Sequence, residues 1–167
     1  MSETQTSQTI QPVTREVVVD CDPQRAFDLF TADMTSWWPA EHHIGSAPIE
    51  EVVIEPRAGG RWYTRHQDGT ETNTGFVVRF DPPGQGRQGR LSVTWQIGAD
   101  WSYHPDLVTT IDVRFVEQEP GRTRVELEHR DLQNFGEHAE QMKNVFEAPD
   151  AWTRTLANYV AVVAASA

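Results

Sequence analysis

The chain has 167 residues, of which 25 are acidic and 14 are basic, so its formal net charge is −11 at neutral pH. A surface of this charge repels nucleic acid phosphates and anionic lipid headgroups, which argues against both as main partners. The single cysteine, Cys21, provides no internal disulfide framework, and this favours a reducing compartment. The length suits one domain with its own hydrophobic core.

Neither end of the sequence has the features of a targeting or membrane-spanning segment. Residues 1–11 are polar and lack the basic start and apolar centre of a signal peptide, so they are predicted to be a disordered tail. Residues 12–167 are predicted to form a single domain. Because no apolar run approaches the roughly 20 residues that span a bilayer, we expect a cytoplasmic protein.

The first elements in the chain are predicted to be a strand and two short helices. Val13 to Asp20 alternates in the manner of a β-strand. A helix is predicted to start at Asp22, which can act as a cap, and Pro23, which suits the first helical position. A second short helix or turn is predicted over residues 35–38, and Pro39 ends it.

Strand signals follow one another closely after a loop over residues 41–48. The segments with alternating or β-prone residues are Glu50–Glu55, Arg61–His66, Thr70–Asp81, Leu91–Ile97, Ile111–Phe115 and Val125–His129. Asp68-Gly69 is a strong hairpin signal, and the Gly- and Pro-rich segment 81–89 is predicted to be a loop. In the third of these strands, Phe76 is expected to share one face with Val78 and Phe80. The alternation predicts an antiparallel sheet with one buried face.

The C-terminal segment changes to helical spacing. Trp152, Leu156 and Val163 fall on one face of a predicted helix that Asp150 or a neighbour caps, and residues 132–146 are predicted to be a helical lead-in. A sheet with one buried face needs a cover. One helix, about 10 Å wide, cannot fill a wider concave surface, so a space for a ligand is predicted between helix and sheet.

Several turn and packing motifs carry a family resemblance. In chain order they are Asp22-Pro-Gln-Arg-Ala-Phe27, Trp37-Trp38-Pro39, Glu55-Pro-Arg-Ala-Gly-Gly60-Arg-Trp62, Gly75-Phe-Val-Val-Arg-Phe-Asp-Pro-Pro83, Leu91-Ser-Val-Thr-Trp95 and Val125-Glu-Leu-Glu-His129. From about Val13 to about Val163, the chain resembles bacterial proteins related to the C-terminal domain of the activator of heat-shock-protein-90 ATPase. These proteins belong to the START-like (SRPBCC) superfamily.

The resemblance implies an α+β helix-grip fold. This fold is a curved antiparallel sheet of about six to seven strands wrapped around a long C-terminal helix, with two short helices after the first strand. It implies a hydrophobic cavity but no single activity, since superfamily relatives bind lipids, hormones or polyketides and some are cyclases or hydrolases. The co-chaperone that names the family has an additional N-terminal chaperone-binding domain. The residues before Val13 leave no room for one, so chaperone binding is not expected.

Aromatic residues are the main candidates for ligand contacts. The expected positions are the cavity wall for Trp62, Phe76, Trp95 and Trp152, and the cavity mouth for Trp37 and Trp38. The same rings are equally suited to filling a core. His129 lies on the apolar face of its strand, where it is expected either to anchor a polar group of the ligand or to be a hydrogen-bonded core residue.

Three functions stay open at this point. The favoured one is binding of a small hydrophobic molecule, because no catalytic cluster is visible. The second is an enzyme that uses His129 or His66 as an acid or base on a bound carbonyl compound. The third is an interaction module, for a chaperone or within a homodimer, that uses an exposed Trp37-Trp38 loop or a strand edge. No cofactor is expected, and no metal, because His42-His43 lacks supporting ligands at fixed spacing.

Overall fold

The computed structural model describes residues 10–166, so most of the tail expected over 1–11 lies outside the described residues. The strands are β1 (Val13–Val19), β2 (Ile49–Ile54), β3 (Arg61–His66), β4 (Glu71–Asp81), β5 (Gly89–Trp95), β6 (Thr109–Glu119) and β7 (Arg122–Arg130). The α-helices are α1 (Pro23–Thr31), α2 (Ala139–Glu147) and α3 (Arg154–Ala165). Short 3-10 segments lie at Met34–Ser36 and Leu132–His138, and a π-helical turn lies at Pro149–Thr153.

The strands form one curled antiparallel sheet in the order β1-β7-β6-β5-β4-β3-β2. Consecutive strands from β2 to β7 are neighbours, as hairpin connections dictate, and β1 joins the far edge by pairing with β7. The helices cover the concave face. The predicted antiparallel sheet and α+β helix-grip fold are therefore confirmed. Within residues 10–166, no helix has the length and apolar character needed to cross a membrane.

Helix α1 begins as the sequence predicts. The Oδ1 atom of Asp22 accepts a hydrogen bond from the backbone N–H of Arg25 at 2.8 Å, and Pro23 occupies the first turn. This cap satisfies one of the backbone donors that a helix start leaves unpaired. The helix thus begins at a fixed point directly after β1, which places its apolar face over the sheet.

A cluster of aromatic rings fills part of the concave face. Phe27 and Phe30 of α1 pack edge-on against Phe115 of β6, with ring centroids 5.2 and 5.5 Å apart. Tyr159 of α3 packs against Phe30, and its hydroxyl group donates a hydrogen bond to the carbonyl oxygen of Ala26 at 2.7 Å. Such aromatic contacts bury large apolar areas. We call this set of rings the aromatic plug, and it holds α1 and α3 together.

The C-terminal helix starts later than its apolar spacing predicts. The chain is kinked at Ala151 (φ −96°, ψ −121°), and α3 begins only at Arg154. Trp152 therefore lies in the π-helical turn rather than in the helix. The expectation that Asp150 or a neighbour caps the helix is wrong, because Thr153 is the residue before α3 and its side chain makes no capping hydrogen bond. The kink directs Trp152 towards the sheet.

Strand β4 departs from simple alternation at two bulges. One extra residue lies between the pairs Trp62–Gly75 and Tyr63–Asn73, and another lies between Val77–Val93 and Arg79–Ser92. Each bulge turns the following side chains to the other face. Phe76 is consequently 40% exposed and Val78 57% exposed, whereas Phe80 packs on Phe27. The expectation that Phe76 lines the cavity is wrong for this reason.

Candidate functional site

The part of the concave face that the aromatic plug leaves open contains a cavity of about 360 Å³. Its floor is formed by the inward side chains of β3, β4 and β5. Its roof is formed by the end of α2, the π-helical turn and the start of α3, and the loop that precedes β2 borders its mouth. The cavity is therefore bounded by elements from both halves of the chain.

Four indole rings and one phenyl ring make up the aromatic part of the wall, namely Trp38, Trp62, Trp95, Trp152 and Phe146. Trp62 packs edge-on against Trp38 and Trp95, with centroids 5.8 and 5.9 Å apart, and Trp38 packs in the same way against Trp152 at 6.1 Å. Because each ring braces the next, the wall is held open. Of the candidates from the sequence, the structure thus places Trp38, Trp62, Trp95 and Trp152 around one cavity.

Trp37 lies elsewhere. Its ring is buried in the aromatic plug against Phe30 and Tyr159, with centroids 4.8 and 5.3 Å apart. Its Nε1–H donates a hydrogen bond to the carbonyl oxygen of Leu29 at 3.0 Å. The expectation that Trp37 stands at the cavity mouth is wrong, because its ring is buried beneath that of Trp38, with centroids 6.3 Å apart, and only Trp38 borders the cavity. The loop also offers no exposed pair of indoles for an interaction surface.

His129 lies behind the wall and does not reach the cavity. Nε1 of Trp152 donates to its Nδ1 at 3.3 Å, so Nε2 carries the proton and donates to Oγ1 of Thr109 at 2.9 Å. Thr109 in turn donates to the carbonyl oxygen of Trp95 at 2.9 Å. Burial lowers the pKa of His129 to about 3. Both ring nitrogens are occupied, so the expected ligand contact is corrected to a structural role in holding Trp152 and Trp95.

His66 is occupied in the same manner. Its Nδ1 lies 2.8 Å from the carbonyl oxygen of Ala47, which can only accept, so Nδ1 carries the proton. Nε2 therefore accepts a hydrogen bond from Oγ1 of Thr72 at 2.9 Å. Neither buried histidine has a free lone pair, so neither His129 nor His66 is available as the acid or base that the enzyme hypothesis requires.

Polar residues that the sequence did not single out also line the cavity. Three threonine hydroxyl groups border it from the sheet, on Thr64, Thr72 and Thr74, and Thr155 borders it from α3. Thr64 follows from the strand period once Trp62 points inward, because alternate residues of a strand share a face. Thr74 lies two residues before Phe76, so the alternation that was expected to place Phe76 inward places Thr74 inward as well, and the bulge turns only the residues that follow it. No local signal in the sequence distinguishes Thr155 from a core residue.

The mouth is bordered by a charged and aromatic rim. Glu41 forms an ion pair with Arg154 that links the loop before β2 to the start of α3. His42 lines the cavity and packs edge-on against Trp38, and burial lowers its pKa. Trp101 is 49% exposed at this rim, in a left-handed conformation (φ 58°). Loop residues have no period, so sequence patterns could not place them here.

The acidic and histidine residues do not assemble a metal site in the part of the chain that the structure describes. Among residues 10–166, no group of three or more His, Cys, Asp or Glu side chains lies close enough to hold an ion. His42 and His43 both border the cavity, but they lie in a loop without a third ligand. The arrangement can surround an apolar guest and offer it a few hydrogen bonds.

The curled sheet, the C-terminal helices and the cavity between them define a helix-grip protein of the START-like (SRPBCC) superfamily. The chain belongs to the family described as activator of Hsp90 ATPase homolog 1-like protein, whose model matches residues 20–164. The family resemblance seen in the sequence motifs is thereby confirmed. Among curated proteins, none matches this chain in sequence.

Several solved structures are similar to this one over nearly the whole chain. One is an anthrahydroquino-γ-pyrone synthase, Txn09, which is 32% identical, with 94% of this chain and 99% of that chain covered and a TM-score of 0.63. Another is CalC from Micromonospora echinospora, described as a self-sacrificing resistance protein, at 24% identity, 93% and 96% coverage and a TM-score of 0.68. A protein from Nitrosomonas europaea is similar at 14% identity, 93% and 96% coverage and a TM-score of 0.62. The last two show the fold alone.

Proposed function

We propose that this protein binds a small, flat, fused aromatic molecule in the cavity between the sheet and the C-terminal helices. The observation that carries the proposal is the wall of four indoles around about 360 Å³ of space. This volume falls within the range of roughly 300–1,000 Å³ that small-molecule sites occupy. Edge-on indoles present apolar surface to a planar guest and favour aromatic contacts with it.

The similarity to the synthase supports a fused aromatic guest. The name of that synthase describes a fused, oxygenated aromatic compound, and its sequence is 32% identical to this chain, of which 94% is covered. We propose the same broad chemical class for the guest of this protein. The net charge of −11 and the acidic residues Glu41 and Asp150 at the cavity disfavour an anionic guest.

A cavity-filling substitution tests the proposal. Thr155→Phe places a ring inside the cavity from α3, whereas Ala157→Phe places the same ring on the exposed face of the same helix. We expect Thr155→Phe to weaken the binding of 9-fluorenone by about tenfold or more, which corresponds to ~1.4 kcal/mol. Quenching of tryptophan fluorescence measures the affinity. Ala157→Phe is expected to leave the affinity unchanged. Equal affinities for both variants would contradict binding in this cavity.

A second candidate function is proton-transfer catalysis on a bound ketone. One observation favours it: Nδ1 of His43 donates a hydrogen bond to the carbonyl oxygen of Gly45 at 2.8 Å, so Nε2 keeps a lone pair that has no partner among residues 10–166. His43 borders the cavity. A base whose tautomer is set by a second group is the arrangement that general-base catalysis uses. The acid–base role expected for His129 or His66 is therefore reassigned to His43 in this proposal.

Hydrogen exchange on a probe ketone tests this candidate. The base removes a proton from the carbon next to the carbonyl group, the electron pair of that C–H bond forms the enolate, and return of a deuteron from D₂O completes the exchange. We expect His43→Gln to slow deuterium incorporation into 2-tetralone by about 10²-fold or more relative to the native protein. His138→Gln, at an exposed histidine that does not line the cavity, is the control and is expected to leave the exchange rate unchanged. Exchange no faster than in buffer rules the candidate out.

The sequence and the surface of the protein also support proposals about its cellular location and its oligomeric state. We propose a cytoplasmic location, which the single cysteine supports. A homodimer stays a prediction. The exposed side chains of Phe76 and Val78 on the outer face of β4 are the surface that supports it.

A further inference from the structure

The buried threonine hydroxyl groups differ according to whether they border the cavity. Away from the cavity, each has a hydrogen-bond partner within residues 10–166, namely those of Thr31, Thr94, Thr109 and Thr123. The buried threonines that line the cavity are Thr64 and Thr74 in the floor and Thr155 in the roof, and their hydroxyl groups take part in no hydrogen bond within the same residues. Among the buried threonines of this range, unpaired hydroxyl groups therefore occur at the cavity alone.

The hydroxyl oxygens of these three threonines are within reach of a guest. Thr64, Thr74 and Thr155 are only 5%, 7% and 2% exposed. Among residues 10–166, however, the one unpaired side-chain nitrogen or oxygen atom that is shut off from water is Nε1 of Trp62. The three hydroxyl oxygens therefore keep surface that a group the size of water can touch, and the space that they border is the cavity.

An unpaired hydroxyl group inside a cavity discriminates between guests. Water that enters the cavity can pair with it, and a guest that displaces such water loses affinity unless it restores the hydrogen bond. A buried hydroxyl group that is left without any partner costs free energy. An oxygen atom on the guest supplies a partner, whereas a hydrocarbon does not. Guests of the same shape are thus distinguished by their oxygen substituents.

Thr64 and Thr74 lie on neighbouring strands of the floor and are held by the sheet. Thr64 of β3 pairs with Thr72 of β4, and Thr74 is the extra residue of the first bulge, two positions further along β4. The carbonyl oxygen of Thr74 accepts a hydrogen bond from the N–H of Gln96 at 2.8 Å. The hydroxyl group of Thr72 is already donated to His66. Because strands position a site more precisely than loops do, Thr64 and Thr74 form a fixed polar patch, which we call the threonine pair.

The charges around the cavity indicate that the oxygen of the guest is neutral. Glu41 and Asp150 border the cavity, and Arg154 pairs with Glu41. A carboxylate on the guest would meet this acidic rim, and the threonine pair has no charge with which to compensate its burial. A hydroxyl group both donates and accepts, so the threonine pair suits either a carbonyl oxygen or a hydroxyl group on the guest.

We propose that the hydroxyl groups of Thr64 and Thr74 hydrogen-bond to a neutral carbonyl or hydroxyl oxygen of the bound molecule. The cavity thereby selects oxygenated aromatic molecules over hydrocarbons of the same shape and turns their oxygen-bearing edge towards β3 and β4. This inference rests on the proposed function, since it names the groups by which the guest is recognised. It gives Thr64 and Thr74 a specificity-determining role.

Three probes with one frame test the proposal. Fluorene, 9-fluorenone and 9-hydroxyfluorene share the same three fused rings, and only the last two carry an oxygen. Dissociation constants are measured with the native protein and with the double variant Thr64→Val/Thr74→Val. Valine has the shape of threonine without the hydroxyl group, and it suits a β-strand. We expect the affinity of at least one oxygen-bearing probe, relative to that of fluorene, to fall by about tenfold in the double variant.

Val52→Ala is the matched control. Val52 lines the cavity beside Thr64, with which it pairs between β2 and β3. Its substitution trims the apolar wall and removes no hydroxyl group. It is therefore expected to weaken the three probes alike and to leave their relative affinities at the native values. Relative affinities cancel losses of packing that affect all of the probes.

The infrared band of the bound carbonyl group gives a readout that a purely structural role of the threonines would not move. A hydrogen bond lowers the stretching frequency of a carbonyl group, so bound 9-fluorenone is expected to absorb at higher frequency in the double variant than in the native protein. If none of the three probes binds to the native protein, the proposed function is wrong. If they bind, and neither the relative affinities nor the carbonyl band differ between the native protein and the double variant, the proposed function stands and the inference about the threonine pair is wrong.

Discussion

Hydrogen bonding and burial prevent His129 from acting as an acid or a base. Its two nitrogens are occupied by Trp152 and Thr109, and burial holds its pKa at about 3, far below the ordinary value of 6.5. The side chain is neutral and has no lone pair to offer. The position of His129 on an apolar strand face therefore correctly indicated that it is buried. Its role is to hold Trp152 and Trp95 in place through hydrogen bonds.

The lowered pKa predicts a pH dependence of stability. Between pH 6.5 and pH 3 the unfolded chain binds a proton at this histidine and the folded chain does not. Stability is therefore complete above about pH 6.5 and falls as the pH decreases, by about 1.4 kcal/mol per pH unit for this group. His129→Gln removes this titration. We expect the free energy of unfolding, measured with urea between pH 4.5 and pH 6.5, to fall less steeply with decreasing pH in the variant than in the native protein. Identical pH dependences would contradict the lowered pKa of His129.

Strand β4 is the element in which a local pattern misleads most. The first bulge turns Phe76 and Val78 outward, although Thr74, one strand period before Phe76, borders the cavity. Between the bulges, Gly75 lies so close to β5 that a Cβ atom there would be 1.9 Å from the carbonyl oxygen of Thr94. The absence of a side chain at Gly75 therefore allows β3, β4 and β5 to form one continuous floor under the cavity.

Substitution of Gly75 tests this close approach. The added methyl group of Gly75→Ala meets backbone rather than a movable side chain, so β4 or β5 must shift. We expect a loss of about 3 kcal/mol in the free energy of unfolding, measured with urea. Phe76→Ala, at the next and exposed position, is the control and is expected to cost less than about 1 kcal/mol. A Gly75→Ala variant as stable as the control would show that the sheet is less tightly apposed here.

At the scale of the whole molecule, one part of the concave face is packed with aromatic rings and another part is left open as a cavity. The aromatic plug and Trp37, which packs on it, fill one part of this face, and the cavity lies beside them. Apolar wall that faces an open cavity gains less from folding than apolar surface that is packed. The aromatic residues around the cavity therefore contribute less to the free energy of unfolding than they would in a packed core. The plug contributes more, because it packs α1 and α3 against the sheet.

The same Thr155→Phe variant measures what the open part costs the molecule. A ring placed in the cavity buries wall surface that the native protein leaves uncovered. We expect the free energy of unfolding to rise by about 1 kcal/mol while probe binding is lost. Ala157→Phe, on the solvent side of α3, is expected to leave stability near its native value. A variant that loses both stability and binding would indicate that the cavity cannot accept the ring.

Local sequence patterns were sufficient to predict the antiparallel sheet, the helix start at Asp22 and an aromatic-lined space beneath the C-terminal segment. Alternation, capping and helical spacing are local, so neighbouring residues suffice to reveal them. Three features appear only in the folded chain: Trp37 packs in the plug while Trp38 borders the cavity, Phe76 faces outward, and the N–H of Trp62 has no partner among residues 10–166. Bulges, kinks and hydrogen-bond partners depend on segments far apart in the chain, such as Trp152 and His129, which are 23 residues apart. Pairings of that kind leave no periodic trace in the sequence.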